Sequence, residues 1–350
     1  MIESLRPSVR AMAGYTPGEQ PREGEFVKLN TNESPYPPSP RVFEALKAAL
    51  TGDRLRKYPD PLGTHFRHTA GRVLGVGPES VLIGNGSDDV LTVLTRAFVP
   101  EGGLAVSPTP SYLLYRTLAE LQGARFRAVP FAAGWSLPRP WPVADAHLTF
   151  LCNPNSPSGT AVPAGQVREL CSALPGPVVV DEAYTDFAEG NALDLVREGR
   201  LKNVIVTRSL SKSYSLAGVR FGFALADPAV VRQLMKVKDS YNCDVLSLVA
   251  AAAALEDQEY LQTVRARVLA TRARLETALR GLGFDVCPSQ ANFVWCTRAG
   301  RPLKPLYEEL KRRGILVRYM NYEGHGEGLR VSVGSDAEVD RLLDELRGVV

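Results

Sequence analysis

Short apolar, largely β-branched runs alternate with longer segments of helical periodicity, and this alternation limits the possible folds more than any other feature of the chain. The runs are apolar throughout, which is typical of strands buried on both faces of a sheet. Because helical segments separate them, they indicate an α/β fold with a mostly parallel sheet flanked by helices. The predicted strands are 81–83, 104–106, 148–151, 178–180, 204–206 and 221–224, and the predicted helices are 41–50, 87–98, 112–122, 163–173 and 228–240.

The pattern changes after residue 245, where one long helical stretch, which can include a bend, runs to 281 and connects to a smaller α+β unit. Seven prolines in the first forty residues predict an irregular, extended arm. We therefore expect an N-terminal arm (1–28) that joins the small domain, a large domain (29–245) and a small C-terminal domain (246–350). The elements predicted for the small domain are strands 284–287, 292–296, 315–317 and 329–333 and helices 302–313 and 336–346.

Composition and charge exclude several classes of protein. Hydrophobic residues make up 45% and charged residues 23% of the chain, which excludes an intrinsically disordered protein. The formal net charge is only +3 and no dense basic run occurs, so we expect no nucleic-acid partner. No apolar stretch reaches the length of a membrane span, and the charged N-terminus lacks the apolar segment of a secretory signal.

The cysteines and histidines predict neither disulfides nor a metal site. The five cysteines are odd in number and show no CxxC spacing, so we expect buried, reduced thiols in a cytoplasmic protein. His65 and His68 have no obvious third ligand nearby, and a helix surface explains them better than a zinc site does.

Four polar segments follow predicted strands, at the edge where open α/β sheets bind ligands. In the first segment (84–89), glycines permit a tight turn and Ser87 can cap the next helix, whose free N–H groups would attract an anion. The second segment (153–159) contains two prolines, a glycine and two asparagines, and predicts a rigid turn with amide side chains. In the third, Asp181 ends a buried strand and therefore requires a cation or a strong hydrogen-bond donor.

The fourth segment places Lys212 among hydroxyl side chains, just past the strand ending near Thr207, with Arg220 eight residues on. Poor solvation between apolar strands and neighbouring cations would lower the pKa of the lysine and make its amine nucleophilic.

Together the four segments match one ligand, pyridoxal 5′-phosphate. Its aldehyde requires an amine such as Lys212, its ring nitrogen requires a carboxylate such as Asp181, and its ring requires an aromatic neighbour such as Tyr112. The residues suited to its phosphate are Gly86, Ser87, Ser209, Ser211 and Arg220.

At this point the sequence resembles the fold-type I pyridoxal-phosphate aminotransferases, and more narrowly the histidinol-phosphate aminotransferases, over nearly the whole chain. The resemblance implies a large domain with a mostly parallel central sheet flanked by helices and a smaller α+β domain. The segments that carry it are 29–35 (LNTNESP), 57–61 (KYPDP), 84–88 (GNGSD), 181–184 (DEAY), 211–212 (SK) with Arg220, and 329–334 (LRVSVG).

The resemblance also implies roles around the cofactor. Lys212 would bind the cofactor aldehyde covalently and act as general base in the 1,3-proton shift, Asp181 would hold the proton of the ring nitrogen, and Tyr184 would donate to the phenolic oxygen. Tyr112 would stack on the ring, and Asp88 would belong to the cofactor-binding turn. Tyr58 would reach the phosphate from the other subunit, so the resemblance implies a homodimer with shared active sites.

On the substrate side, the resemblance implies that Arg330 clamps the α-carboxylate of glutamate, and that Arg318 contacts the substrate phosphate or the glutamate side-chain carboxylate. The other residues expected to contact substrate are Tyr15 in the arm, Asn32, Tyr58 and Asn292.

One departure from the family pattern concerns residue 156. Many relatives have an asparagine before the proline of this turn, where it binds the phenolic oxygen of the cofactor, and this chain has Ser156. We expect Asn155 to take over the role. A weaker contact from Ser156, or a water molecule, is the alternative.

The favoured function is transamination of L-histidinol phosphate with 2-oxoglutarate, giving imidazole acetol phosphate and L-glutamate in histidine biosynthesis. Two alternatives keep the cofactor: an aromatic amino-acid aminotransferase and a threonine-phosphate decarboxylase. A nucleotide-binding α/β protein is a further alternative from a different class, but the third glycine of its fingerprint is missing and it leaves the Lys212 segment unexplained.

Overall fold

The structure is a computed structural model that describes residues 2–12, 14, 18–20, 24–322 and 324–349. Its strands are β1 (Val27–Lys28), β2 (Val81–Gly84), β3 (Leu104–Thr109), β4 (Arg125–Pro130), β5 (Leu148–Cys152), β6 (Val178–Asp181), β7 (Val204–Ser209), β8 (Gly222–Leu225), β9 (Asp285–Val286), β10 (Phe293–Thr297), β11 (Ile315–Leu316), β12 (Arg318–Tyr322) and β13 (Gly326–Ser332). Its helices are α1 (Pro7–Ala11), α2 (Pro40–Ala49), α3 (Gly52–Leu55), α4 (Thr64–Leu74), α5 (Ser87–Phe98), α6 (Leu114–Leu121), α7 (Ala164–Ala173), α8 (Leu193–Glu198), α9 (Pro228–Leu234), α10 (Val245–Glu256), α11 (Gln258–Gly281), α12 (Lys304–Arg312) and α13 (Asp336–Arg347).

A seven-stranded sheet of order β2-β8-β7-β6-β5-β3-β4 forms the centre of the large unit. Strand β8 is antiparallel to both of its neighbours, and the other neighbouring pairs are parallel. All six strands predicted from the apolar runs belong to this sheet, which confirms the mostly parallel α/β fold. As a consequence, strands β2, β3, β5, β6 and β7 all end at the same edge.

Helices cover both faces of this sheet, and each face has its own apolar core. One core joins the sheet to α2, α4, α7, α8 and α10, and the other joins it to α5, α6 and α9. Strands β5, β6 and β7 are buried at every position because both faces are covered. Burial of each leucine or valine side chain contributes about 1.5–3 kcal/mol to the free energy of unfolding. The central strands therefore form a stable base for the loops that follow them.

The C-terminal unit is an antiparallel sheet of order β12-β13-β10-β9, packed through a third apolar core against α11, α12 and α13. The short strand β1 pairs in parallel with β11. The backbone N–H of Ser332 donates to the Leu29 carbonyl, so the chain leaving β1 lies along β13. Residues 30–33 are thereby carried from the C-terminal unit towards the edge of the large sheet.

Several elements differ from the sequence predictions. Strands β4 and β12 were not predicted, because their charged and polar residues do not form an apolar run. The arm was predicted to be irregular, but it contains helix α1, which begins at a proline suited to a first helical turn. Helix α6 begins at Leu114 rather than Tyr112, and α9 ends at Leu234 rather than Ser240.

The long helix predicted over 245–281 is two helices divided at Asp257. This residue ends α10, and its carboxylate accepts from the backbone N–H of Tyr260 at the start of α11. Helix α10 packs against α2 and α4 in a core of the large unit. The domain boundaries remain a prediction, and this packing favours a division near Asp257 rather than at Val245.

The burial predicted for the cysteines is confirmed at four of the five positions. Cys287 is only half-buried, whereas the other four cysteines are buried, and all five are free thiols. His65 and His68 lie exposed on helix α4, which confirms their assignment to a helix surface. Among the described residues, no helix is both long and apolar enough to span a membrane.

Candidate active site

A cavity of about 330 Å³ lies where the ends of the parallel strands meet residues from the arm and from the C-terminal sheet. The loops after β2, β3, β5, β6 and β7 all contribute side chains to it, as expected for an open α/β sheet. From outside the large sheet come segment 30–33 and the strands β12 and β13.

Asp181, the last residue of β6, is buried with only 3% of its surface exposed. Its carboxylate accepts from the Tyr115 hydroxyl at 2.7 Å and from the Thr207 hydroxyl at 3.0 Å. Burial raises the pKa of Asp181 above its usual range, although these two hydrogen bonds oppose the shift. None of the ion pairs among the described residues includes Asp181. The carboxylate is therefore suited to a ligand that brings a proton or a positive charge.

Lys212 lies in the loop after β7, and its Nζ donates to the Thr31 carbonyl at 3.1 Å. Burial, followed by the charge of Arg330, lowers the pKa of this lysine from its ordinary 10.5 to about 8. The carboxylates of Glu33 and Asp88 oppose the shift. The expected lowering of the lysine pKa by burial and nearby cations is thus confirmed, and a substantial fraction of the amine is neutral near physiological pH.

The anion-binding end of the cavity is formed by the start of α5 and by Arg220. Gly86 precedes the helix with a φ of 88°, a conformation that favours glycine, and a Cβ there would come within 2.8 Å of the Arg220 guanidinium. Ser87 is the first residue of α5 and not its cap, because Gly86 takes that position. A Cβ on Gly222 of β8 would collide with the backbone nitrogen of Ser87, so glycine is required there for the start of α5 to approach the sheet.

Tyr184 faces the cavity from the loop after β6. Its hydroxyl accepts from the Asn32 side-chain amide at 3.1 Å, and its ring makes an edge contact with Phe293 at 5.0 Å between centroids. Burial raises the pKa of Tyr184 to about 12, so the phenol keeps its proton and can donate it in a hydrogen bond.

Arg318 and Arg330 line the same cavity and are directly opposite each other in the β12–β13 pair. Like charges at opposed positions of an antiparallel pair repel, and an anion bound between them relieves the repulsion. The Arg330 guanidinium donates to the Ser156 hydroxyl at 2.9 Å and to the Asn30 carbonyl at 3.1 Å, while its buried Nε has no hydrogen-bond partner among the described residues. This side of the cavity is suited to a carboxylate or a phosphate.

Comparison with known proteins agrees with this geometry. The model of aminotransferase classes I and II matches residues 24–346. The chain belongs to the class I and II aminotransferases. It is 53% identical to a histidinol-phosphate aminotransferase of Rhodopirellula baltica over 97% of this chain and 93% of that protein. A second relative, histidinol-phosphate aminotransferase 1 of Trichormus variabilis, is 45% identical over the full length of both chains.

A solved structure extends the likeness to three dimensions. The histidinol-phosphate aminotransferase of Sinorhizobium meliloti, crystallised in complex with pyridoxal 5′-phosphate, superposes with a TM-score of 0.89 at 28% identity. The superposition covers 99% of this chain and 98% of that one. The fold expected for an aminotransferase, a large α/β domain with a smaller α+β domain, is confirmed.

Most of the predicted site residues of this aminotransferase lie together. Those lining the cavity are Asn32, Ser87, Asp88, Tyr112, Asp181, Tyr184, Ser209, Ser211, Lys212, Arg220, Arg318 and Arg330. Asn292 does not line the cavity but contacts a residue that does, because its side-chain amide donates to the Asn32 carbonyl at 3.0 Å. Tyr58 does not line the cavity and is 80% exposed, and Tyr15 lies outside the described residues.

The structure does not place Asn155 where the sequence analysis expected it. Its amide donates to the Pro110 carbonyl and the Ser158 hydroxyl, and its side-chain oxygen accepts from Ser111, so its polar atoms hold the turn together. Ser156 lines the cavity instead. We therefore transfer the proposed contact with the cofactor's phenolic oxygen from Asn155 to Ser156.

Sequence reasoning missed residues whose importance depends on distant contacts. Glu33 lines the cavity and is held by Lys28 at 2.6 Å and by the Thr31 hydroxyl at 2.7 Å. Its position in the Asn-Glu-Ser-Pro segment was a usable signal, since that segment carried part of the family resemblance.

A buried ion-pair network behind the cavity was also missed. Arg208 lies 2.8 Å from the Glu182 carboxylate and 3.4 Å from that of Asp186, and Asp186 also accepts from the hydroxyl of Ser213, next to Lys212. The network therefore links the loop that carries Tyr184 to the loop that carries Lys212. An acid directly after Asp181 and an arginine at the end of the next strand were its sequence signals.

Proposed function

We propose that this aminotransferase transfers the amino group of L-histidinol phosphate to 2-oxoglutarate with pyridoxal 5′-phosphate as cofactor, giving imidazole acetol phosphate and L-glutamate. The observation that carries the proposal is that Lys212, with its lowered pKa, shares one cavity with Asp181 and with two opposed arginines. The relatives named histidinol-phosphate aminotransferase, at 53% and 45% identity over nearly full length, support the substrate.

The residues present fit the cofactor. Its protonated ring nitrogen would supply the positive charge that the buried Asp181 carboxylate lacks among the described ion pairs. Its phosphate matches the start of α5 together with Arg220. Ser209 and Ser211 add hydroxyl groups, and Tyr112 adds an aromatic face. When bound, pyridoxal phosphate supplies an electron sink that stabilises negative charge on the substrate carbon.

The protein side chains bind, orient and move protons around that chemistry. Lys212 would hold the cofactor aldehyde through its amine, and the free amine would take the proton from the substrate carbon that carries the amino group and deliver it to the former aldehyde carbon of the cofactor. Tyr184 and Ser156 hold the phenolic oxygen, and Asp181 keeps the ring nitrogen protonated.

The opposed arginines bind the two substrates in turn. Arg330 forms a bidentate contact with the α-carboxylate of glutamate, and Arg318 binds either the glutamate side-chain carboxylate or the phosphate of histidinol phosphate. Asn32 contributes through its contacts with Tyr184 and with Ser332. Tyr15 in the arm completes this proposal as a residue that closes the pocket.

The proposal includes a homodimer with shared active sites. Tyr58 stacks on Tyr241 at 4.5 Å between centroids, and both rings are largely exposed, as are Leu55 and Leu62 nearby in the sequence. An exposed aromatic and aliphatic cluster of this kind is typical of an interface between subunits. The Tyr58 hydroxyl then reaches the cofactor phosphate of the partner subunit.

Subunit mixing tests the shared site. Lys212→Ala and Tyr58→Phe are each expected to be strongly impaired, but a reassociated equimolar mixture contains mixed dimers with one intact site, and about a quarter of the full activity returns. Light scattering checks the dimer itself. A monomer, or a mixture no more active than its components, would remove the shared site from the proposal.

The five free cysteines support a cytoplasmic location, where thiols stay reduced. Fractionation of the source cells tests this part of the proposal, and recovery of the protein from an oxidising compartment would contradict it.

The experiment that tests the whole proposal is the visible absorption spectrum of the purified protein. A yellow protein that loses its colour on addition of histidinol phosphate or of glutamate, and only weakly with phenylalanine, supports the proposed reaction. Bleaching mainly by phenylalanine assigns an aromatic aminotransferase, and failure to exchange amino groups with glutamate leaves a decarboxylase. A protein that stays colourless after addition of pyridoxal phosphate would refute the cofactor.

A further inference from the structure

Tyr115 is a fully buried tyrosine that contacts the cavity residues Asp181, Tyr112 and Cys152 without lining the cavity itself. Its ring stacks on Phe150 of β5, with centroids 4.6 Å apart and planes 3° from parallel. Its hydroxyl donates to Asp181 at 2.7 Å. The ring of Tyr115 also makes an edge-to-face contact with the ring of Tyr112, with centroids 5.6 Å apart and an angle of 87° between the planes.

These contacts leave Tyr115 little freedom. Helix α6 fixes its backbone, and the parallel stack on Phe150 fixes the plane of its ring, so its hydroxyl is directed at one carboxylate oxygen. The second oxygen of Asp181 accepts from Thr207 at 3.0 Å. Both donors are neutral, so they orient the carboxylate without neutralising its charge.

We propose that Tyr115 is a positioning residue that keeps Asp181 an ionised acceptor and thereby holds the proton on the ring nitrogen of the bound cofactor. The inference rests on the proposed function, in which Asp181 faces that nitrogen. A donor to the ionised form of a carboxylate lowers the affinity of the carboxylate for a proton. With Tyr115 in place, the proton shared by Asp181 and the ring nitrogen therefore resides on the nitrogen.

Tyr115 also supports the residue proposed to cover the face of the ring. Tyr112 packs edge-on against Tyr115 and donates its hydroxyl to Asp88 at 3.2 Å. One buried side chain thus contacts both the group for the ring nitrogen and the group for the ring face. Burial raises the pKa of Tyr115 well above its usual value, so its hydroxyl remains a donor at every pH at which the enzyme is assayed.

The test is Tyr115→Phe, which keeps the stack on Phe150 and removes only the hydroxyl. The main readout is the nitrogen chemical shift of bound pyridoxal phosphate labelled with ¹⁵N in its ring, since this shift distinguishes a protonated from an unprotonated nitrogen. We expect a protonated nitrogen in the parent protein and loss of that proton at lower pH in the variant, because the proton moves to the Asp181 carboxylate.

Activity gives a second readout. A hydrogen bond to a charged group corresponds to about 10- to 100-fold in rate, so kcat of Tyr115→Phe should fall by about that factor while KM for glutamate changes little. Thr207→Val removes the other side-chain donor to Asp181 and should shift the nitrogen signal in the same direction. The control is Tyr260→Phe, which loses a hydrogen bond to the Pro37 carbonyl far from Asp181 and should leave both readouts unchanged.

The outcomes separate this inference from the function on which it rests. An unprotonated ring nitrogen in the parent protein refutes the role proposed for Asp181. A protonated nitrogen whose signal and pH dependence are the same in the parent, Tyr115→Phe and Thr207→Val refutes the positioning role and leaves the aminotransferase assignment intact. If Tyr115→Phe does not fold, Thr207→Val alone decides.

Discussion

The two sides of the cavity are built in opposite ways. The strand-end wall (Ser87, Asp181, Ser209 and Lys212) comes from residues at or just beyond the ends of neighbouring strands of one buried sheet. The hairpin wall (Arg318, Met320 and Arg330) comes from two strands of a different sheet, more than a hundred residues later in the chain. The first wall carries the chemistry in our proposal and the second carries the choice of substrate.

The difference shows that chemistry and specificity can depend on separate parts of one fold. The strand-end wall inherits its rigidity from strands that are buried at every position. The hairpin wall depends on how the C-terminal sheet packs against the large one, and it reaches the other wall through the contact of Arg330 with Ser156. Substitutions in the two walls should therefore differ in kind, and the following predictions test that.

The largest effect is expected from Lys212→Ala in the strand-end wall. The variant should fold and bind pyridoxal phosphate only without a covalent bond, and turnover should fall by at least about 10⁴-fold because it loses both the nucleophile and the base. Lys202→Ala is the matched control, since that lysine pairs with Asp227 on the surface. Comparable loss in both variants would contradict the assignment of Lys212.

The second prediction concerns pH. The pKa of Lys212 is about 8 against an ordinary 10.5, and the neutral amine is the reactive form, so the rate of covalent cofactor attachment to the apoprotein should rise with pH and level off above about 8. At pH 7.5 this makes attachment about a hundredfold or more faster than an unshifted lysine would allow. A rate still rising steeply at pH 9.5 would contradict it. Arg330→Met should move the midpoint upward, because the charge of Arg330 lowers this pKa.

The third prediction compares the two arginines of the hairpin wall. Arg330→Ala should lower kcat/KM for glutamate by about 100-fold, through loss of charge-assisted hydrogen bonds, with a smaller effect on histidinol phosphate, which has no carboxylate. Arg318→Ala should impair both substrates if it binds the phosphate as well as the side-chain carboxylate. Half-reactions measured separately with each substrate give the comparison, and equal losses for both substrates in Arg330→Ala would contradict it.

The fourth prediction concerns the network that joins two strand-end loops. Arg208→Met leaves Glu182 and Asp186 without their cation, and breaking a buried pair in this way costs about 3–5 kcal/mol of unfolding free energy. Arg168→Met, which breaks an exposed pair with Glu198, should cost much less. Urea unfolding of the apoproteins measures both, and similar losses would show that the Arg208 network is not structural.

The smallest effect is expected at the contact between Ser156, in the turn after β5, and Arg330 of the hairpin wall. Ser156→Ala removes one hydrogen bond to Arg330 and should raise KM for glutamate by about 2- to 10-fold. Asn155→Ala should instead lower thermal stability, because it removes the side-chain hydrogen bonds that hold the turn, and should leave the absorption spectrum of the bound cofactor unchanged. A spectral change in Asn155→Ala alone would restore the original assignment of the cofactor contact to Asn155.

The strand-end wall could be predicted from sequence because its residues are local to apolar runs. Asp181 is the last residue of a buried strand and Lys212 lies three residues after another, so the strand ends fix the positions of both side chains. The edge strand β4 escaped prediction because its charged residues alternate with apolar ones, and its half-exposed position in the sheet explains why that pattern is tolerated.

The hairpin wall could be predicted only through family resemblance. Nothing in the sequence around Arg318 shows that β12 is a strand or that its register places Arg318 opposite Arg330. Likewise, which of Asn155 and Ser156 faces the cavity depends on which side chain makes the hydrogen bonds that hold the turn, and the neighbouring residues alone do not reveal this. The contact of Tyr115 with Asp181 spans 66 residues and requires the fold.

The register of the β12–β13 hairpin has an evolutionary consequence. Because its two arginines face each other across one ladder step, a change at either position would alter the electrostatic selectivity of the proposed anion subsite. Neither position belongs to the seven-stranded sheet, and Arg330 also lowers the pKa of Lys212, an effect not found for Arg318. New substrate preferences can therefore be sampled by mutation of Arg318 while Lys212 and the seven-stranded sheet stay intact, whereas mutation of Arg330 would also change the reactivity of the amine.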